Sequence, residues 1–380
     1  MINRQRLIAL TQKLIRIDSQ NPPGNESEIA RFITKEMRSW GLPVRCVSFA
    51  NNRPNVIATL KGSLKRNIAA KEAILLSPHM DTVPAGKGWT FPPFAARIKN
   101  GKIYGRGATD DKGNLACAME VMHSLIEDKV RLKRDIIFAA TADEETGSQL
   151  GIVPLLAKNI IQCKYAVILD SDELDTVITQ KGLIHGRVRI FGKKAHGAYN
   201  WRGINAIEIA ARVIEELKKH NFKGRRHRLL RGPTVNIGTI QGGDKVNMVA
   251  DECEFSFDLR FLPGMNPKKI LAQIEKIVRR QSRKFKILVD NIQDPYEIDC
   301  RHPLVSTFVQ SARKMGLKAH IKGSEGATVI TFFKKKNIPA MATGFSSHGT
   351  AHANDEFVRI KSLVSGADVL EQFIKDMDRR

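Results

Sequence analysis

Short, wholly apolar runs and helical periodicities alternate through the first half of the chain. Residues 73–77, Ile136–Ala140 and Tyr165–Leu169 are almost continuously apolar, as strands covered on both faces must be. Helical spacing fills residues 114–126 and 149–157 between them. Buried strands separated by helices predict an α/β fold with a mixed, largely parallel sheet flanked by helices.

The middle of the chain has a different rhythm. Val188 and Ile190 alternate with Arg187 and Arg189, and Glu252–Phe261 alternates strictly, with Cys253, Phe255, Phe257, Leu259 and Phe261 on one face. A helical stripe of Ile207, Ala210, Ile214 and Leu217 follows the first of these strands. A second stripe of Ile270, Ile274 and Ile277 follows Asn266-Pro267, a helix-start signal. With strands at 234–240 and 285–289 the order is β-α-β-β-α-β, the ferredoxin-like split βαβ arrangement. This places an inserted domain at residues 183–292 inside a catalytic domain made of residues 1–182 and 293–380. Helical patterns at 304–315 and 362–377 and a short strand at 339–343 complete the outer domain.

Composition narrows the class. The chain has 380 residues, 42% of them hydrophobic, which suits two globular domains. No apolar stretch approaches the roughly 18 residues of a membrane span, so no membrane association is expected. The first sixteen residues mix Arg6, Lys13 and Arg16 into a helical pattern without the apolar core of a secretory leader. Five cysteines at positions 46, 117, 163, 253 and 300 form no metal-clasp spacing, and with no leader they point to reduced thiols and a cytoplasmic protein. The formal net charge of +23 favours anionic partners. Its basic pairs are spread, among them Lys133-Arg134, Arg225-Arg226 and Arg279-Arg280, with few aromatics between them. That argues against a groove for single-stranded nucleic acid, and nucleic acid is not an expected partner.

Four clusters carry metal-type ligands, three of them directly after predicted strands. His79 and Asp81 follow 73–77; an imidazole can bind a divalent ion through one nitrogen while a carboxylate holds the other. Asp110 and Asp111 close a glycine-rich turn, Gly105-Arg106-Gly107-Ala108-Thr109, that fits neither phosphate-loop fingerprint. Either aspartate could cap the next helix, and a carboxylate there could bridge two cations. Glu144 and Glu145 follow Ile136–Ala140, and successive residues point in different directions, so one can ligate while its neighbour serves as general base. Asp170 and Asp172 follow Tyr165–Leu169. Open α/β sheets place ligands at the carboxyl ends of their strands, where these groups gather. Nitrogen and oxygen donors without thiolates suit zinc, cobalt or manganese. A further histidine is needed, and spacing alone leaves both His348 and His352 open.

With these motifs in this order, the chain resembles the di-zinc family of acetylornithine deacetylase, succinyl-diaminopimelate desuccinylase, aminoacylase and the glutamate carboxypeptidases. The resemblance spans nearly the whole chain, including the inserted domain. It implies a pair of divalent ions held by His79, Asp110, Glu145, Asp170 and His352, with Asp110 bridging. It implies that Asp81 orients His79 and that Glu144 is the general base. His196, in Lys193-Lys194-Ala195-His196-Gly197, matches the histidine that donates to the oxyanion, often in the other subunit's site, which implies a homodimer through the inserted domain. Asn247 and Arg260 match substrate-binding positions, although the alternation of Glu252–Phe261 equally places Arg260 on a solvent face. The expected substrate is a small N-acylated amino acid, with a dipeptide or other short peptide as the alternative.

Two departures bear on specificity. Asp170 stands where the two deacylases have glutamate, as in several peptidases of the family. Val329 and Thr331 stand where many members carry aspartate and arginine.

Overall fold

In the computed structural model, residues 1–224 and 226–380 are described; Arg225 of the basic pair named above lies outside the described residues. The chain divides into two compact units. The first comprises Met1–Ile178, Ile298–Lys322 and Phe332–Arg380, and the second Thr179–Glu297 with Gly323–Thr331. The short return of residues 323–331 to the second unit carries no sequence signal. Gln180 secures it by accepting from the backbone N–H and the hydroxyl of Thr328 at 2.9 and 2.8 Å.

The first unit is built on a mixed sheet. Its strands lie in the order Val44–Ser48, Pro54–Leu60, Ile136–Ala140, Ile74–Ser77, Tyr165–Leu169, Ala340–Thr343 and Asp175–Gln180, the last of which runs on into the second unit. The four central strands are parallel, and the flanking ones antiparallel. Every residue of Ile74–Ser77, Ile136–Ala140 and Ala340–Thr343 is buried. Each large apolar side chain so covered contributes about 1.5–3 kcal/mol, which is why these segments show no polar alternation. Lys112–Glu127 is buried along most of its length, and both Arg4–Arg16 and Ile360–Asp378 pack against it.

The second unit holds a four-stranded antiparallel sheet in the order Thr234–Gly242, Glu252–Phe261, Gly182–Phe191, Phe285–Gln293. Helices Ala206–Lys219 and Pro267–Gln281 share its core of Val188, Phe255, Phe257, Leu259, Ile274 and neighbouring residues. Asn266 caps the second helix, accepting from the Lys268 N–H at 2.9 Å. The buried stripe of the first helix is Ile209, Ala210, Val213 and Leu217, not the expected one through Ile207 and Ile214. Ile207 is exposed and Ile214 only half-buried, because Ala206 and Ile209 turn the helix start toward the sheet.

Candidate metal centre

Three groups of the first unit sit just beyond the carboxyl ends of parallel strands, while Asp110 precedes the helix Lys112–Glu127 and His352 lies in the loop after Ala340–Thr343. Ile74–Ser77 delivers His79, which forms an isolated parallel bridge with Thr141 past the end of Ile136–Ala140. Ile136–Ala140 delivers a short 3-10 turn, Glu144–Thr146. Tyr165–Leu169 delivers Asp170, whose N–H donates to the Thr343 carbonyl at 3.0 Å.

Two ligand sets result. Donor atoms of His79, Glu144 and Asp170 lie within 4.8 Å of one another, as do those of Asp110, Glu145 and His352. Asp110 stands between the two histidines: Oδ1 lies 2.9 Å from His79 Nε2, and Oδ2 3.2 Å from His352 Nε2. Glu145 Oε2 is 3.2 Å from the same His352 nitrogen. Donors about 2.0–2.2 Å from a shared ion stand roughly 3–3.5 Å apart at tetrahedral angles, close to these separations. Two imidazoles and four carboxylates without thiolate form a donor set that fits divalent cations such as zinc, cobalt or manganese.

The structure separates the two candidate histidines of the last loop. His352 joins Asp110 and Glu145. His348 instead faces Asp172 at 3.2 Å and Asp175 at 3.5 Å, in an ion-pair cluster that also holds Lys322.

Carboxylate crowding dominates the electrostatics. Burial, with Asp170 nearby, pushes the Glu144 carboxyl well above its usual range. Burial and the Asp110 charge raise Asp170 to about 7. Hydrogen bonds to Asp110 and Glu145 lift His352 to about 10. Asp110 stays below the usual range despite its burial, because both histidines donate to it. So much negative charge in a low-dielectric pocket favours a bound cation.

The positions of these groups are set by buried partners, most of which the sequence did not announce. Asp81 is fully buried. It accepts from Asn21 at 2.9 Å and from the Glu144 and Glu145 amides at 3.1 and 3.2 Å, besides facing His79 Nδ1 at 3.5 Å. Asp111 does not cap its helix. Its carboxylate accepts from the His79 N–H at 2.9 Å and from Asn114 at 2.7 Å. Asp143, at φ 67°, braces the 3-10 turn by accepting from Arg53, the Thr146 hydroxyl and the Leu150 N–H. Arg53 in turn pairs with buried Glu26 at 2.6 Å. Glu356 gathers the N–H groups of Gly107, Thr109 and Asp110 and the Arg106 guanidinium, at 2.6–3.0 Å. Gly107 has φ 81°, and a Cβ there would meet the Thr82 methyl at 2.6 Å, so this turn needs glycine. The nearest sequence signals were the acidic neighbours Asp143 and Glu356 themselves.

The remaining predicted residues lie in the second unit. His196 is exposed, and its Nδ1 accepts from the Ala198 N–H at 3.0 Å, which leaves the hydrogen of the neutral ring on Nε2. Asn247 is exposed, and its carbonyl accepts from the Gly197 N–H at 2.8 Å, tying it to the same stretch. Arg260 points from the polar face of its strand with its guanidinium already engaged by Asp258, at 2.7 and 2.9 Å. Val329 and Thr331 are buried, and the Thr331 hydroxyl donates to the Asp294 carbonyl.

The model of peptidase family M20/M25/M40 matches residues 75–376. The chain belongs to this family. It is 28% identical to an acetylornithine deacetylase of Photorhabdus laumondii over 312 residues, 79% of each chain. Its fold matches a tripeptidase from Staphylococcus aureus at TM-score 0.83, with 26% identity over 100% of both chains. It also matches aminopeptidase PepT from Bacillus cereus at TM-score 0.83, with 24% identity over 99% of both. The family places the chain among the metal-dependent hydrolases of amide or peptide bonds, and the mixed sheet with its parallel centre is the fold of these neighbours.

Proposed function

We propose that the protein hydrolyses the amide bond of a small N-acylated amino acid with the help of two divalent ions, zinc foremost. The observation that carries this reading is Asp110, with one oxygen toward His79 and the other toward His352, and with Glu144 beside them. His79, Asp110 and Asp170 hold one ion; Asp110, Glu145 and His352 hold the other. Bound there, the ions polarise the scissile carbonyl and acidify the attacking water. Asp81 keeps the His79 ring oriented, as its burial and its three further hydrogen bonds suit it to do.

Glu144 is the general base. It takes a proton from the attacking water and returns it to the leaving amine. His196 donates from Nε2 to the oxyanion, the role for which its Ala198 hydrogen bond selects the tautomer. Asn247 and Arg260 bind the substrate, and Arg260 must exchange Asp258 for a substrate carboxylate to do so.

The protein acts as a cytoplasmic homodimer joined through the second unit. Its sheet ends on Thr234–Gly242, an edge strand with most residues exposed, and Trp201, Ile240 and Val246 are exposed in the same unit. Sedimentation at a monomer mass over the micromolar range would remove this part of the reading.

A short peptide is the second reading, favoured by the likeness to the tripeptidase across the whole chain. Turnover of acetyl- and succinyl-amino acids against di- and tripeptides by zinc- or cobalt-loaded protein decides between them. Activity on neither class, with two metals bound per chain, counts against both.

A further inference from the structure

The charge of the chain is unevenly placed. Residues 217–231 hold seven basic and no acidic residues, and residues 266–286 hold eight basic and one acidic. These 36 residues therefore carry +14 of the net +23. The first stretch begins at the end of the helix Ala206–Lys219, and the second contains the helix Pro267–Gln281.

The two helices lie antiparallel, side by side. Arg212 in the middle of Ala206–Lys219 reaches Gln281 at the end of Pro267–Gln281 (3.3 Å), and His220 just past the first helix reaches Gln273 in the middle of the second (2.8 Å). Their apolar faces are committed to the core through Ile209, Val213 and Leu217, and through Ile270, Ile274 and Ile277. Outside, the first helix carries Glu208 and Glu215 beside Arg212, Lys218 and Lys219, whereas the second is cationic. Lys218, Lys268, Lys269, Lys276 and Arg280 are all exposed. Among the described residues, the ion pairs within this face are Lys219–Glu215 and Arg279–Glu275, both exposed and four residues apart, a type that contributes little. The second helix has 15 residues and so offers a cationic strip about 22 Å long.

We infer that this helical face is a docking surface for the phosphodiester backbone of a double-stranded nucleic acid, independent of base sequence. A strip of mostly unpaired cations along the second helix matches a backbone that carries one charge per ~1.7 Å of duplex axis. No helix projects from the face to enter a groove, so it contacts backbone and not base edges. A single strand fits less well, because stacking needs exposed rings and none of Lys218, Lys268, Lys276 or Arg280 has an exposed large aromatic beside it in sequence. An anionic membrane also fits less well: the exposed large apolar groups of this unit, such as Trp201, Ile240 and Val246, lie outside residues 217–231 and 266–286, leaving no wedge for insertion.

The test uses the full chain, a fluorescent 24-base-pair duplex of DNA and one of RNA, and phosphatidylserine vesicles. Both duplexes are expected to bind at low salt, and about five neutralised phosphates would cost more than about a hundredfold in affinity between roughly 50 and 200 mM salt. The quadruple change Lys268→Glu, Lys269→Glu, Arg279→Glu, Arg280→Glu is expected to weaken duplex binding at least tenfold at low salt, with amide hydrolysis and the thermal midpoint unchanged. The inference falls if neither duplex binds at low salt. It falls equally if the quadruple variant binds as well as the parent, or if vesicles capture the protein more tightly than either duplex. DNA binding without RNA binding, or the reverse, names the source of the backbone.

Discussion

The strand-end cluster of the first unit and the His196 stretch of the second use similar residue types in opposite ways. Around Asp110 and Glu144 the backbone of His79, Asp110, Glu144 and Glu145 donates to buried carboxylates (Asp111, Glu356 and Asp81), and Asp143 braces the turn that carries the two glutamates. His196 and Asn247 are exposed and held by local backbone bonds, among them Ala198 N–H to the His196 ring and Gly197 N–H to the Asn247 carbonyl. Groups of mostly like charge must be brought together there, so the fold braces the backbone that carries them with buried acceptors. A group that only donates one hydrogen bond to a passing oxyanion needs its tautomer set and little else.

The contrast is sharpest in activity and stability taken together. Glu144→Gln is expected to lower kcat by about 10²–10⁴-fold or more, with metal content by elemental analysis unchanged. A variant that keeps full turnover would remove Glu144 from the chemistry. His196→Ala is expected to cost about 10²–10³-fold in kcat. Its unfolding free energy should stay within about 0.5 kcal/mol of the parent, because the side chain is exposed.

Glu356→Ala should do the reverse of the His196 change. It strands the buried Arg106 guanidinium and three backbone amides, and is expected to destabilise by about 3–5 kcal/mol in denaturant unfolding. An unfolding curve like the parent's would show that Asp110 is not braced this way. Within the last loop, His352→Ala should lose one of two bound metals on titration calorimetry, and His348→Ala should keep both.

The smallest effect lies away from either region. Lys314, Ser311 and Gln372 hold the Asp376 carboxyl below its ordinary value against the opposing effect of burial. A depressed carboxyl stabilises the fold above its unfolded pKa, near 3.9, and that contribution is lost as pH falls through the lower folded value. The difference in unfolding free energy between the parent and Asp376→Asn is therefore expected to be full at pH 7 and to shrink as pH falls below about 4 and through the depressed folded value. A difference that persists in acid would assign it to packing.

Much of this was legible in one dimension. Strand runs covered on both faces and strict alternation in Glu252–Phe261 are local consequences of burial on two faces or one, so periodicity alone locates them. The helix Ala206–Lys219 shows the limit: its apolar residues offer two overlapping stripes, and packing against the sheet chose the one through Ile209 and Val213.

The sequence by itself determined which residues could be ligands, because histidines and carboxylates at strand ends are a statement about order along the chain. Only the tertiary structure decided which of them meet. His352 over His348, Asp111 as a brace instead of a cap, and the engagement of Arg260 by Asp258 depend on which side chains the fold brings within hydrogen-bond reach. The separation of Glu356 from Asp110 along the chain is 246 residues. No local pattern encodes a contact of that range; it exists because closing the sheet buries a carboxylate that must then find donors.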